Sequence, residues 1–250
     1  MQRAADTPEL LDGPLDDPTV LRGNLRDLER VNRRLGGVRL SARAISALAG
    51  ARAEVTILDV GTGGADIPMA LLERAQRRGQ RWHVTGIDSR PEILAAALTM
   101  QPGMAAMPGL RLDQGDGRSL PYPDASFDIV HTSLVVHHLA PDEVVQLLVE
   151  MRRVARLGVV VNDLVRTRLG WLGAWLLVHV ATRNRFTRHD APLSVRRAYT
   201  TAELTALADA AALRIDLRAF GFAGHRWAFA ARAVEAVAIG EIGEIGEIAR

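Results

Sequence analysis

The stretch ILDVGTGGAD, residues 57 to 66, decides the fold. An apolar run closes on an acid, Asp59. Gly61, Gly63 and Gly64 follow within four positions, and a second acid, Asp66, stands where a helix would begin. A buried strand, a glycine turn and a helix in that order make the first βα unit of a nucleotide-binding sheet. The dinucleotide fingerprint G-x-G-x-x-G fits only in part, because Asp66 occupies the third glycine position and would repel a pyrophosphate at the helix N-terminus. No G-K-S/T follows, which excludes a P-loop. Two acids around the turn suit a nucleotide that is cationic in its middle and has no phosphates.

Outward from this stretch, strand and helix patterns alternate. Apolar runs predict strands over 55–60, 83–88, 110–114, 127–133 and 157–164, and helical spacing predicts helices over 66–77, 91–99 and 141–155. Such alternation implies an α/β fold: a Rossmann-like, mostly parallel seven-stranded sheet with helices on both faces. Segments 213–218 and 226–232 complete it as a closing antiparallel pair, after a helix over 201–211. Two helices are expected ahead of the sheet. The first starts at Asp16-Asp17-Pro18, where an acid caps and a proline opens the turn, and ends at Gly36-Gly37; the second runs over 41–49. Residues 1–15 read as loose. Residues 166–199 break the alternation and read as a helical insertion after the fifth strand. The chain thus divides into an N-terminal helical cap over 1–50, a nucleotide-binding domain over 51–236 and, over 237–250, a disordered IGE-repeat tail.

Composition narrows the function classes. The chain has 250 residues, no cysteine and a net charge of +2. Disulfides, thiolate chemistry and cysteine metal sites are excluded, and a reducing cytoplasm suits such a chain. All 31 basic residues are arginine, which lifts the isoelectric point to about 9.8 without any basic, aromatic-interleaved cluster, so no nucleic-acid partner is expected. The apolar run WLGAWLLVHVA, 171–181, is about half of what crosses a bilayer. It reads as a buried or pocket-covering helix, with a surface-lying helix as the alternative and no stable membrane insertion. No histidine spacing supports a metal site.

The motifs resemble those of class I S-adenosylmethionine (SAM)-dependent methyltransferases, in particular the UbiE-like small-molecule branch, over about residues 50–165. ILDVGTGGAD resembles the family's first motif, VTGIDSRPEIL its second, and GDGRSLPYPDASFDIVHTSLVVHHL its third and fourth. The resemblance implies a cofactor set of Asp59, Gly61, Thr62, Gly63 and Asp66 at the turn, with Asp88 and Ser89 at the ribose. Asp116 would meet the adenine amine, Gly117 would leave the ring room, and Thr132 and Ser133 would form the floor. The alternative readings are a helix cap for Asp88, a turn acid for Asp116 and a first-turn dipole partner for Asp66.

Methyl transfer to a hydroxyl needs alignment, exclusion of water and, for a phenol, a base. Candidate bases are His137 and His138 after the fourth strand, and His189 with Asp190 to orient it. An acceptor would meet Arg33, Asn162, Trp171, Trp175 and Arg188, under an apolar cover from the insertion and the first helix. The segments VNDLVRTRLG and RHDAPLSVRRAY resemble a polyketide-associated subgroup. The reading is O-methylation of a hydrophobic aromatic small molecule. C-methylation of a quinol ring and a SAM-binding protein without turnover are the alternatives.

Overall fold

The computed structural model describes residues 1–234. Seven strands form one sheet: β1 (Glu54–Val60), β2 (Arg81–Asp88), β3 (Leu110–Gln114), β4 (Phe127–Ser133), β5 (Ala155–Leu164), β6 (Leu213–Phe220) and β7 (Arg226–Ala233). Their order is β3-β2-β1-β4-β5-β7-β6. β1 to β5 pair in parallel, and β7 enters antiparallel between β5 and β6. Helices α1 (Pro18–Arg34) and α2 (Gly37–Ala49) precede the sheet, and α3 (Asp66–Gln76), α4 (Pro91–Met100) and α5 (Pro141–Val154) make the crossovers. Helices α6 (Arg168–Ala181) and α7 (Arg185–Arg197) form the insertion, and α8 (Thr201–Ala210) leads into β6.

Successive side chains of β1 go to opposite faces, so both must be apolar in a sheet covered twice. Ile57 packs with Leu40, Ile45 and Leu48 of α2 and Leu71 of α3. Its neighbour Leu58 packs on the other face with Leu147, Leu148 and Met151 of α5 and Leu204 of α8. Both side chains are fully buried, each contributing roughly 1.5–3 kcal/mol relative to exposure. A smaller cluster of Leu21, Leu25, Ile93 and Ala96 fastens α1 to α4.

Local chemistry sets the helix starts. Asp17 accepts from the backbone N–H groups of Thr19 and Val20 at 2.9 and 3.1 Å, ahead of Pro18. Gly36, at φ +89°, turns the chain directly from α1 into α2. The second helix therefore begins at Gly37, four residues earlier than the spacing suggests. A Cβ at Gly37 would stand 2.7 Å from Arg226 Nη1, so glycine here admits a buried arginine.

Three expectations are corrected. Residues 1–15 are not loose: Arg3 Nε donates to the Arg197 carbonyl at 2.7 Å, and the Leu10 and Leu11 N–H groups donate to Asp190 at 2.8 and 3.1 Å. Helix α6 is not buried, and of the two readings of 171–181 the pocket-covering one fits, since Leu177, Val178 and Ala181 line a cavity against α1. Only Val178 is enclosed, while Leu169 and Val180 near its ends are 82% and 89% exposed. Nor does it form the expected aromatic cover, since Trp171, Leu172, Trp175 and Leu176 lie on its open side. Among the described residues no helix is long and apolar enough to cross a membrane. The expected tail over 237–250 lies outside the described residues.

Candidate active site

The parallel strands end together at one edge, where α/β sheets hold their ligands. Gly61 and Gly63 turn the chain there at φ +71° and +54°. A Cβ on Gly61 would stand 2.3 Å from Val135 Cγ2, whereas one on Gly63 would meet nothing within 4 Å. The first glycine is thus required by the fold, and the space above the second is open. Asp88 caps both sides of this space, accepting from the Gly63 N–H at 3.1 Å and the Arg90 N–H at 3.0 Å. Each oxygen keeps a further lone pair for a hydroxyl group.

The two acids of the opening stretch are tied together by a buried polar chain. Asp59 accepts from Thr62 Oγ1 at 2.7 Å and from His131 Nδ1 at 2.5 Å. His131 Nε2 meets Ser41 Oγ at 2.7 Å, and Ser41 accepts from Asn162 Nδ2 at 2.7 Å. Arg226 donates from Nε to Asn162 Oδ1, from Nη1 to Asn32 Oδ1 and from Nη2 to Ser133 Oγ, at 2.7, 2.7 and 2.6 Å. Asn32 then donates to Asp66 Oδ2 at 3.0 Å. Burial pulls the Arg226 guanidinium down to about 10, against the attraction of Asp163 and Asp66, so it remains a cation at neutral pH. Burial raises Asp66 to about 6 despite the Asn32 hydrogen bond, and repulsion from Asp59 adds to the rise. Asp88 is raised for the same first reason, with Asp59 again contributing.

This electronegative turn with open space above it fits SAM, whose sulfonium and ammonium groups answer the carboxylates. At Gly117 a Cβ would stand 2.5 Å from Val60 Cγ1 and 2.9 Å from Leu147 Cδ1, so this glycine is set by packing against the core. Asp116 is exposed and ion-paired with Arg118 at 2.9 Å, which holds its carboxyl below the usual range. Ser89 is exposed, and its carbonyl accepts from Gln114 Nε2 at 3.4 Å. Thr132 is buried and donates to the Val60 carbonyl at 2.9 Å.

Each candidate base has its Nδ1 on a carboxylate. His137 meets Asp163 at 2.6 Å, His138 meets Asp12 at 2.7 Å, and His189 meets Asp190 at 2.8 Å. They differ in access. His137 is 3% exposed beneath the N-terminal segment, whereas the His189 side chain is 48% exposed. Glu9, which no motif marked, lies over His137, and burial raises its carboxyl to about 7.

The expected acceptor contacts do not converge. Asn162 is fully buried, with donors on Gly37 O and Ser41 and its acceptor on Arg226, so it serves the fold. Arg33 is exposed and paired with Glu29 at 3.0 Å. Arg188 donates to the carbonyls of Thr182 and His179 at the end of α6. Trp171 and Trp175 are 36% and 41% exposed. A cavity of about 390 Å³ opens instead between α1 and α6, lined by Val31, Leu35, Leu177, Val178 and Ala181, with Arg30 and Arg34 among its polar walls. The sequence did not mark Asn32 and Arg226 as partners, because nothing in a linear pattern shows two polar residues meeting across 194 positions.

Residues 57–158 match the methyltransferase domain family. Over this segment the chain is similar to methyltransferase domains. The chain is 37% identical to the demethylmenaquinone methyltransferase of Deinococcus radiodurans over 116 residues, 46% of this chain and 45% of that protein. It is 36% identical to a phosphatidylethanolamine N-methyltransferase of Cereibacter sphaeroides over 117 residues, 45% of this chain and 52% of that protein. The chain thus spans about half the length of these curated relatives. A SAM-dependent methyltransferase of Aquifex aeolicus shares the fold, with a TM-score of 0.61 at 17% identity over 87% of this chain and 99% of that one. Helices α1 and α2 precede the matched segment, and α6 and α7 follow it.

Proposed function

We propose that the chain methylates a hydroxyl group of a hydrophobic aromatic small molecule, with SAM as donor, in a reducing cytoplasm. The observation that carries this reading is the carboxylate-ringed glycine turn at the sheet edge, together with an apolar cavity between α1 and α6 whose polar walls include guanidinium groups. Asp88 takes the ribose hydroxyls, Asp116 the adenine amine, and Asp66 the ammonium group. Gly61 to Gly63 receive the carboxylate on backbone N–H groups, with Thr132 and Ser133 beneath. SAM, when bound, would supply a sulfonium-activated methyl group to the acceptor oxygen and leave as S-adenosylhomocysteine. The chain aligns the acceptor and takes its proton. His137 and His138 are turned onto Glu9, so the proton falls to His189, whose Nδ1 is held by Asp190 and whose ring is accessible.

The test is release of S-adenosylhomocysteine across a panel of alkyl phenols, resorcinols and quinols, with NMR of the product. An O-methyl product, with turnover reduced about 100-fold in His189→Gln and SAM affinity unchanged, supports the reading. Full turnover in His189→Gln removes that residue as base. A ring-methyl product moves the protein to quinol C-methylation, the second reading, which the identity to a demethylmenaquinone methyltransferase favours. SAM binding without turnover on any acceptor supports the third, a SAM-binding protein.

A further inference from the structure

The turn after β4 carries two imidazoles to which the proposed methyl transfer gives no role. Residues Val136–His138 form a single 3-10 turn that brings the rings of His137 and His138 to a centroid separation of 4.3 Å. Asp163 and Asp12 hold their Nδ1 atoms at 2.6 and 2.7 Å. A carboxylate only accepts, so each Nδ1 donates there and each Nε2 is left over. Both Nε2 atoms face one carboxyl group. His137 Nε2 lies 3.7 Å from Glu9 Oε1, and His138 Nε2 lies 3.8 Å from Glu9 Oε2.

These gaps are too long for hydrogen bonds. Glu9 is nonetheless 4% exposed, and its Oε1 has no hydrogen-bond partner among the described residues. The three ligand atoms all lie within 4.8 Å of one another. A cation at about 2.0–2.2 Å from imidazole nitrogen and carboxylate oxygen bridges gaps of this size with a few tenths of an ångström of closure. We infer that Glu9, His137 and His138 bind a divalent transition-metal ion of the zinc class.

Two imidazoles and one carboxylate select zinc, cobalt or nickel over magnesium and calcium, which prefer oxygen donors alone. Asp12 and Asp163 then complete two carboxylate–histidine–metal relays, the arrangement that fixes tautomer and ring orientation around bound metals. Three protein ligands leave a fourth position for water. Arg197 is the cation that opposes the ion, with Nε 3.9 Å from Glu9 Oε1. Its Nη1 is drawn to Asp12 at 2.7 Å, and its other donors go to the carbonyls of His137 and His138. The ion's effect is to clasp the N-terminal segment, through Glu9, onto the edge of the sheet.

The test uses the full chain, stripped with a chelator and titrated with zinc against a chromophoric competitor, with thermal melting in parallel. The expected result is one zinc per chain, bound below micromolar concentration, with a raised melting temperature. Asp12→Asn should weaken binding about tenfold. Glu9→Gln and His138→Gln should weaken it further, while His179→Gln, an exposed histidine on α6, should leave it unchanged. Absence of stoichiometric zinc, or binding that survives both ligand variants, overturns the proposal. Cobalt(II) added to the unmodified chain gives a readout that needs no variant: visible bands of a nitrogen-ligated, low-coordinate ion support the site, and the spectrum of the aqua ion overturns it.

Discussion

Asn32 donates its amide to Asp66 across 34 positions while its own carbonyl is held at 2.7 Å by Arg226. A residue of the first helix thus sets the environment of an acid at the glycine turn, and the charge behind it comes from β7. Helix α1, the glycine turn and β7 share one electrostatic unit.

Removing the charge at the centre of that unit should be costly. Arg226→Met leaves Asn162 Oδ1, Asn32 Oδ1 and Ser133 Oγ without their donor in the interior. The expected loss is about 3–5 kcal/mol, read from urea unfolding. Additional removal of Asn32 should cost much less than the sum of the two single changes, because both break the same chain.

Asp66 makes both stability and cofactor affinity depend on pH. Its folded value of about 6 lies above the ordinary 3.8, so the folded state binds this proton more tightly than the unfolded chain does. The stabilisation from protonation is full below about pH 4 and is lost as pH rises to about 6, a span worth about 3 kcal/mol. Asp66→Asn should therefore raise stability at pH 7.5 and leave it almost unchanged at pH 4. Affinity for SAM runs the other way: the ammonium group wants the carboxylate ionised. Calorimetric titration should show binding weakening as pH falls from 7 to 5 in the native chain and a flatter profile in Asp66→Asn.

The glycines of the turn should separate folding from cofactor binding. Gly61→Ala drives a methyl into Val135 at a positive φ, and the expected outcome is a lower melting temperature or no soluble protein. Gly63→Ala has room, so it costs only about 1–2 kcal/mol for its left-handed backbone. Its methyl enters the open space, and SAM affinity should fall at least tenfold in a folded protein. Equal SAM affinity in Gly63→Ala and the native chain would show that the cofactor does not use that space.

Asp88→Ala should also weaken SAM at least tenfold, through loss of charge-assisted hydrogen bonds worth about 1.5–3 kcal/mol each. The Gly63 and Arg90 N–H groups lose their acceptor at the same time. Asp88→Asn, which keeps an acceptor, should retain more of the melting temperature than of the affinity.

The sheet and its crossovers were legible in the sequence because their signals are local. ILDV, VTGID and FDIV are apolar runs bounded by turn residues, and the helix starts at Asp17 and Thr200 are capping patterns a few residues long. The SAM motifs were legible for the same reason. The N-terminal segment was not, because Glu9 and Asp12 find their partners, Arg197 and His138, more than 120 positions away. Helix α6 misled for the opposite reason. Its composition is that of a buried helix, and nothing in a run of tryptophan and leucine tells whether a second layer will cover it. Asn162 lay at the expected edge of the sheet, but its neighbours, Gly37, Ser41 and Arg226, had already claimed every polar atom.

The position of β7 has a consequence for how the protein is made. It is the last strand along the described residues, yet it lies inside the sheet, between β5 and β6. Synthesis runs from the N-terminus at about 5–20 residues per second. For several seconds the nascent chain therefore offers the apolar edge of β5, Val159–Val161, with no strand beside it, while Asn32 and Asp66 wait for a cation not yet translated. Translation of Arg226 closes the sheet edge and neutralises the cofactor turn together. Slow or interrupted translation ahead of that codon prolongs the exposure of this unpaired edge.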